Sequence, residues 1–86
     1  MPRALAIRYV DVADAERAAY LARLAERVAG ARAAAFHLWA FEAEAAPGRF
    51  VEFVETRDAE ALGAALARPG EAPPPAWEHF AGVADT

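Results

Sequence analysis

Apolar side chains dominate three segments of the chain, residues 4–12, 33–44 and 49–56, and in each they fall on both faces of a two-residue repeat. A period of two residues is typical of β-strands, in which successive side chains point to opposite faces of a sheet. Pro47 and Gly48 separate the second segment from the third and favour a tight turn there. The sequence therefore predicts one strand near the N-terminus and a β-hairpin in the middle of the chain.

Two other segments have the spacing of helices. Residues 15–29 place apolar side chains three or four positions apart, and Gly30 follows as a natural end of the helix. Residues 59–67 form a second, alanine-rich helix behind Asp58, which suits the N-cap position. The face of the first helix that is predicted to pack against the sheet consists of Ala18, Leu21, Leu24, Ala25 and Val28.

The end of the chain has a different pattern. Three consecutive prolines at 73–75 favour an extended segment, and the i, i+3 spacing of Trp77 and Phe80 then favours a short helix. A terminal strand is the less favoured alternative. We expect residues 1–68 to form a ferredoxin-like α+β domain. Residues 69–86 are then a proline-rich segment and a short C-terminal docking helix of that domain.

The order strand, helix, strand, strand, helix is typical of a split βαβ unit, with the third strand between the first two. The sheet is then antiparallel and carries both helices on one face. The second strand is apolar on both of its faces except at His37, so the uncovered face would expose several aromatic rings. We therefore expect an α+β half-barrel of βαββα order that pairs sheet to sheet with a second copy of itself as a homodimer.

The amino-acid composition limits which catalytic groups and which partners the chain can have. Of the 86 residues 57% are hydrophobic, 26 are alanine, and cysteine, serine, lysine, asparagine and glutamine are absent. Thiolate and serine nucleophiles are therefore excluded. The net charge of −4 makes nucleic acid and anionic membrane poor partners. There is no apolar run long enough to span a bilayer and no signal peptide, and a cytoplasmic protein is the simplest interpretation.

The turn into the third strand, PGRFV at 47–51, is followed by Arg57-Asp58 and a short alanine-rich helix. In these features the chain resembles the dimeric α+β barrel superfamily, especially its antibiotic-biosynthesis monooxygenase-like branch. The resemblance implies a sheet-to-sheet dimer and a cavity between sheet and helices for a small, often aromatic or polyketide-like molecule. The family usually has a tryptophan where this chain has Glu55-Thr56, and it often has a histidine where this chain has Ala64-Ala65.

His37 and Glu52 are the candidate catalytic residues, because each interrupts an otherwise apolar strand. Burial in a cavity would raise the pKa of Glu52 and make it a base. The favoured alternative is a structural ion pair between Glu52 and Arg8, and a hydrogen-bonded structural role for His37. His79 is expected at the surface of the docking helix. A metal site built from both histidines and Glu52 lacks the usual spacing, so neither a metal nor a cofactor is predicted.

The aromatic residues of the strands either line a ligand cavity or fill the dimer core, and core filling is the favoured role. We predict a small dimeric protein that binds a small aromatic or apolar ligand. The alternatives are a cofactor-independent oxygenase-like enzyme acting on an aromatic or polyketide-like substrate, and an assembly module without a ligand. The candidate ligand-binding residues are Arg8, Tyr9, Trp39, Phe41 and Phe53.

Overall fold

The computed structural model describes residues 2–83, and it contains two α-helices and a four-stranded antiparallel sheet. Short 3-10 turns precede the first helix and the last strand. The predicted α+β class is confirmed, with one strand more than expected. The elements are β1 (Ala4–Asp11), α1 (Arg17–Ala33), β2 (His37–Glu42), β3 (Arg49–Thr56), α2 (Ala59–Leu66) and β4 (Glu78–Ala81).

The strands are ordered β2-β3-β1-β4, which confirms that the third strand lies between the first two. Arg8 pairs with Glu52 across β1 and β3, and Trp39 pairs with Phe53 across β2 and β3. Because paired residues point to the same face, Arg8 and Glu52 share one side of the sheet. Trp39 and Phe53 share the other side.

Both helices cover the side that carries Glu52, which we call the helix face of the sheet. Small residues of β1 let the helices lie close to it, since Ala4 and Ala6 are buried. Asp58 caps α2 as predicted, accepting a 2.8 Å hydrogen bond from the Ala61 amide. The buried core consists of Ala4, Ala6, Ala31, Phe36, Leu38, Val54, Leu62, Ala65, Leu66 and Trp77.

The prediction of which residues of α1 face the sheet is partly wrong. Leu24 and Val28 pack against the core as expected, but Ala18, Leu21 and Ala25 are exposed. Helix α1 instead turns Tyr20, Arg27 and Ala31 inward. The physical reason is the buried Glu52 carboxylate, which needs hydrogen-bond donors from the helix above it.

Helix α1 does not end at Gly30. It continues to Ala33 and closes in a Schellman motif, with hydrogen bonds from the Ala35 amide to the Arg32 carbonyl and from the Phe36 amide to the Ala31 carbonyl. Ala35 takes the left-handed conformation at φ 63°, a position where glycine is usual.

The predicted C-terminal docking helix is wrong, because Glu78–Ala81 forms β4. This strand pairs antiparallel with β1, from Ala4–Ala81 to Ile7–Glu78. Pairing supplies partners for the backbone groups along the free edge of β1, which one isolated helical turn cannot do. Residues 84–86 of the predicted segment lie outside the described residues.

Neither helix of the described chain combines the length and the apolar character that crossing a membrane requires.

Candidate functional site

Glu52 is fully buried on the helix face, between β1 and α1. Its Oε1 accepts hydrogen bonds from Arg8 Nε at 2.8 Å and from Arg27 Nη2 at 2.9 Å. Its Oε2 accepts from the Tyr20 hydroxyl at 2.6 Å and from Arg27 Nη1 at 3.0 Å. Both oxygens of the carboxylate are therefore fully used by protein donors.

This environment sets the ionisation of the cluster. Burial alone would raise the pKa of Glu52, but hydrogen bonds from Arg27, Arg8 and Tyr20 outweigh it and lower the pKa to about 2. Burial, reinforced by the hydrogen bond to Glu52, raises the pKa of the Tyr20 hydroxyl. A general base works best with a pKa near the working pH, and a carboxylate with a pKa of about 2 does not meet this condition. Its bond with Arg8 instead matches the predicted structural ion pair.

The cluster also holds the C-terminal segment. Arg27 donates to both oxygens of Glu71, with Nε–O distances of 3.0 Å and an Nη2–Oε1 distance of 2.7 Å. The Arg8 guanidinium lies 5.1 Å from the centre of the buried Trp77 ring. Trp77 Nε1 in turn donates to the Ala72 carbonyl at 3.2 Å. These contacts hold the segment that leads into β4 against the Glu52 cluster.

The structure does not bring the two candidate catalytic residues together. His37 pairs with Glu55 and lies exposed on the face opposite Glu52. His79, on β4, is also exposed. Within residues 2–83, no group of three or more histidines and carboxylates is arranged to hold a metal ion.

The face opposite the helices, which we call the open face, carries four of the five candidate ligand-binding residues: Tyr9, Trp39, Phe41 and Phe53. Arg8 lies on the other side of the sheet, in the Glu52 cluster. Tyr9, Trp39, Phe41 and Phe80 expose between 42% and 66% of their surface. A shallow trough of about 430 Å³ in this face is lined by Arg3, Leu5, Trp39, Phe41, Phe53 and Glu55.

A second concavity lies on the helix side, where the turn after α1 approaches α2 and the end of β3. We call it the helix-side hollow; its volume is about 390 Å³. Most of its lining side chains are small and fill little volume. Its lining is Ala34, Ala35, Phe36, Thr56, Arg57, Ala61, Ala64, Ala65 and Arg68.

Sequence reasoning did not identify this hollow. The signal was present in the small residues Thr56, Ala64 and Ala65, whose short side chains fill little volume. The left-handed Ala35, which shapes the turn at the rim, carries no such signal.

Comparisons with known proteins support the fold. No family model matches the sequence, and no curated protein matches it. A solved structure of Rv0793 from Mycobacterium tuberculosis is similar, with a TM-score of 0.69 and 17% sequence identity. The match covers 100% of this chain and 97% of that chain. At this identity the likeness shows a shared α+β architecture and nothing about activity.

Proposed function

We propose that this protein binds a small aromatic or apolar molecule in the helix-side hollow and that it works as a homodimer paired through the open face. The observation that carries the ligand proposal is the hollow itself. Its volume of about 390 Å³ falls within the ~300–1,000 Å³ of small-molecule sites, and alanine methyls with the Phe36 ring form its apolar walls.

The Glu52 cluster favours binding over the oxygenase-like alternative. A carboxylate that accepts four hydrogen bonds and has a pKa of about 2 has little capacity to take a proton from a substrate. His37 lies on the other face of the sheet and has no access to the same substrate. The Glu52 cluster and His37 therefore support ligand binding and not proton transfer to or from a substrate.

Filling the hollow tests the ligand proposal. Ala64 is exposed at the hollow, so Ala64→Leu adds bulk there without overpacking the core. The matched control is Ala67→Leu, which adds the same bulk at an exposed position outside the hollow. With phenylacetamide as the probe, we expect wild type and Ala67→Leu to bind alike, measured by amide chemical shifts in ¹H–¹⁵N spectra.

In that titration we expect Ala64→Leu to weaken binding at least about tenfold, because the ligand would clash with the new side chain. Equal binding by Ala64→Leu and wild type would place the ligand elsewhere, and a wild type that binds neither phenylacetamide nor its carboxylate analogue phenylacetate at millimolar concentration would overturn the proposal.

A different observation, the exposed aromatic surface, supports the homodimer. Tyr9, Trp39 and Phe41 form part of an apolar patch of a kind that usually marks an interface. A small alanine-rich chain also gains stability by association.

Charge favours a second copy as the partner on this face. The two ends of the open face each carry one cation and one anion. Arg3 lies 3.2 Å from Glu55 at one end, and Arg49 lies 3.5 Å from Asp11 at the other. Two copies of a surface with balanced ends can meet around a two-fold axis without like-charge repulsion between those ends.

A further inference from the structure

The charge of the helix-side hollow is opposite to that of the whole chain. The protein has a net charge of −4, yet the charged residues that line the hollow are two arginines, Arg57 and Arg68. The other lining residues are five alanines, Phe36 and Thr56. An apolar cavity with cations at its edge favours a ligand with an apolar body and one negative group.

Arg68 is positioned by specific contacts. Its Nη1 donates to the Gly30 carbonyl at 3.0 Å, and its guanidinium lies 5.5 Å from the centre of the Phe36 ring. A Cβ atom at Gly30 would lie 2.7 Å from Arg68 Nη2, so the glycine within α1 makes room for the guanidinium. The bond to Gly30 uses one of the five N–H donors of the group.

Arg57 provides the second cation. Its side chain is 79% exposed, and its Nε lies 3.6 Å from Asp58 Oδ2, a distance beyond a normal hydrogen bond. Asp58 Oδ1 is already used by the Ala61 amide at the start of α2. The Arg57 side chain is mostly exposed and contacts Asp58 only at this longer distance, so it can reorient onto an anionic ligand at the rim of the hollow.

We infer that the ligand of the helix-side hollow is a small apolar carboxylate. Its apolar part lies against Phe36 and the alanines, and its carboxylate accepts charge-assisted hydrogen bonds from Arg68 and Arg57. This inference rests on the proposed function, because it names the chemical class of the molecule that the same hollow binds.

The test compares two probes of nearly equal shape, phenylacetate and its neutral amide phenylacetamide. For wild type we expect phenylacetate to bind at least about tenfold more tightly than the amide, because only the carboxylate forms charge-assisted bonds with arginine. In Arg68→Met and Arg57→Met this preference should shrink, while the affinity for the amide stays the same. The matched control is Arg23→Met, which removes an exposed arginine of α1 outside the hollow.

Gly30→Ala is a second variant, which keeps every charge and displaces the Arg68 guanidinium. We expect Gly30→Ala to reduce the preference for phenylacetate as Arg68→Met does. It therefore tests the role of Arg68 independently of how well Arg68→Met folds. Equal binding of both probes by wild type would overturn the carboxylate class and leave the proposed function standing. Binding of neither probe would overturn both. An equal loss in Arg23→Met would also overturn the inference, because net charge and not the hollow would then explain the preference.

Discussion

At the scale of single residues, Glu52 determines how the helix layer is held on the sheet. Its side chain is fully buried, yet it remains ionised because four donor contacts from Arg8, Arg27 and Tyr20 surround it. Removing one member of such a group leaves the others buried without their partner, which is more damaging than losing the whole group.

The stability of the protein should therefore depend on pH through Glu52. Its pKa falls from an ordinary 4.5 to about 2 on folding, so its contribution is complete above pH 4.5 and is lost as the pH falls towards 2. We expect Glu52→Gln to lower the free energy of unfolding at pH 7 by about 3 kcal/mol, measured by urea denaturation.

In Glu52→Gln the loss of stability between pH 4.5 and 2 should be smaller than in wild type. Glu60→Gln is the control, since Glu60 is exposed on α2. A wild-type stability that stays flat over this pH range would contradict the role assigned to Glu52.

Two small residues show where prediction from sequence fails at this scale. Glycine is typical of helix ends, but Gly30 lies within α1 and makes room for the guanidinium of Arg68, which lies 38 positions later in the chain. Ala35 resembles an ordinary helical residue, but it adopts φ 63° because the Schellman motif there satisfies the last carbonyls of α1. The cause is tertiary at Gly30, whereas at Ala35 it is a local backbone motif that alanine, unlike glycine, does not signal in the sequence.

At the scale of elements, the sequence pattern predicted correctly those strand and helix bounds that depend on neighbouring residues. Strand β3 has its predicted bounds, Arg49–Thr56, and helix α2 begins behind the predicted cap at Asp58. Strand β4 was only the less favoured alternative, because its four residues are all exposed and have no alternating burial pattern. The pairing of β4 with β1 depends on an edge that lies about 70 residues earlier in the chain.

Helix α1 illustrates the same limit. Its hydrophobic spacing indicated an inner face centred on leucine and alanine, whereas Arg27 in fact turns inward to reach Glu52 and Glu71. A charged residue becomes an inner residue only when its partners are known, and these lie on β3 and in the segment before β4.

At the scale of the whole molecule, the sheet separates two surfaces with different chemistry. The helix face holds the buried ionic cluster and borders the helix-side hollow, while the open face presents exposed aromatic rings. The sequence predicted the open face, because an apolar second strand is visible as a pattern. It did not predict the hollow, which is formed by residues from three segments, 34–36, 56–57 and 61–68.

The open face predicts the state of association. Light scattering at tens of micromolar should give twice the 9.2 kDa of one chain. Trp39→Glu should give a single chain, because it places a carboxylate within the apolar patch. Leu21→Glu makes the same kind of change on the outer side of α1 and should leave the dimer intact. A wild-type monomer, or equal disruption by both variants, would contradict pairing through this face.

The position of a bound ligand tests the proposed function most directly. Isotope-filtered nuclear Overhauser effects can be measured between phenylacetate and the side chains of the labelled protein. We predict contacts from the phenyl ring to Phe36 and to the methyl groups of Ala61 and Ala64, which line the helix-side hollow. Contacts to Trp39 and Phe41 in the trough of the open face, or no intermolecular contacts at saturating phenylacetate, would contradict it.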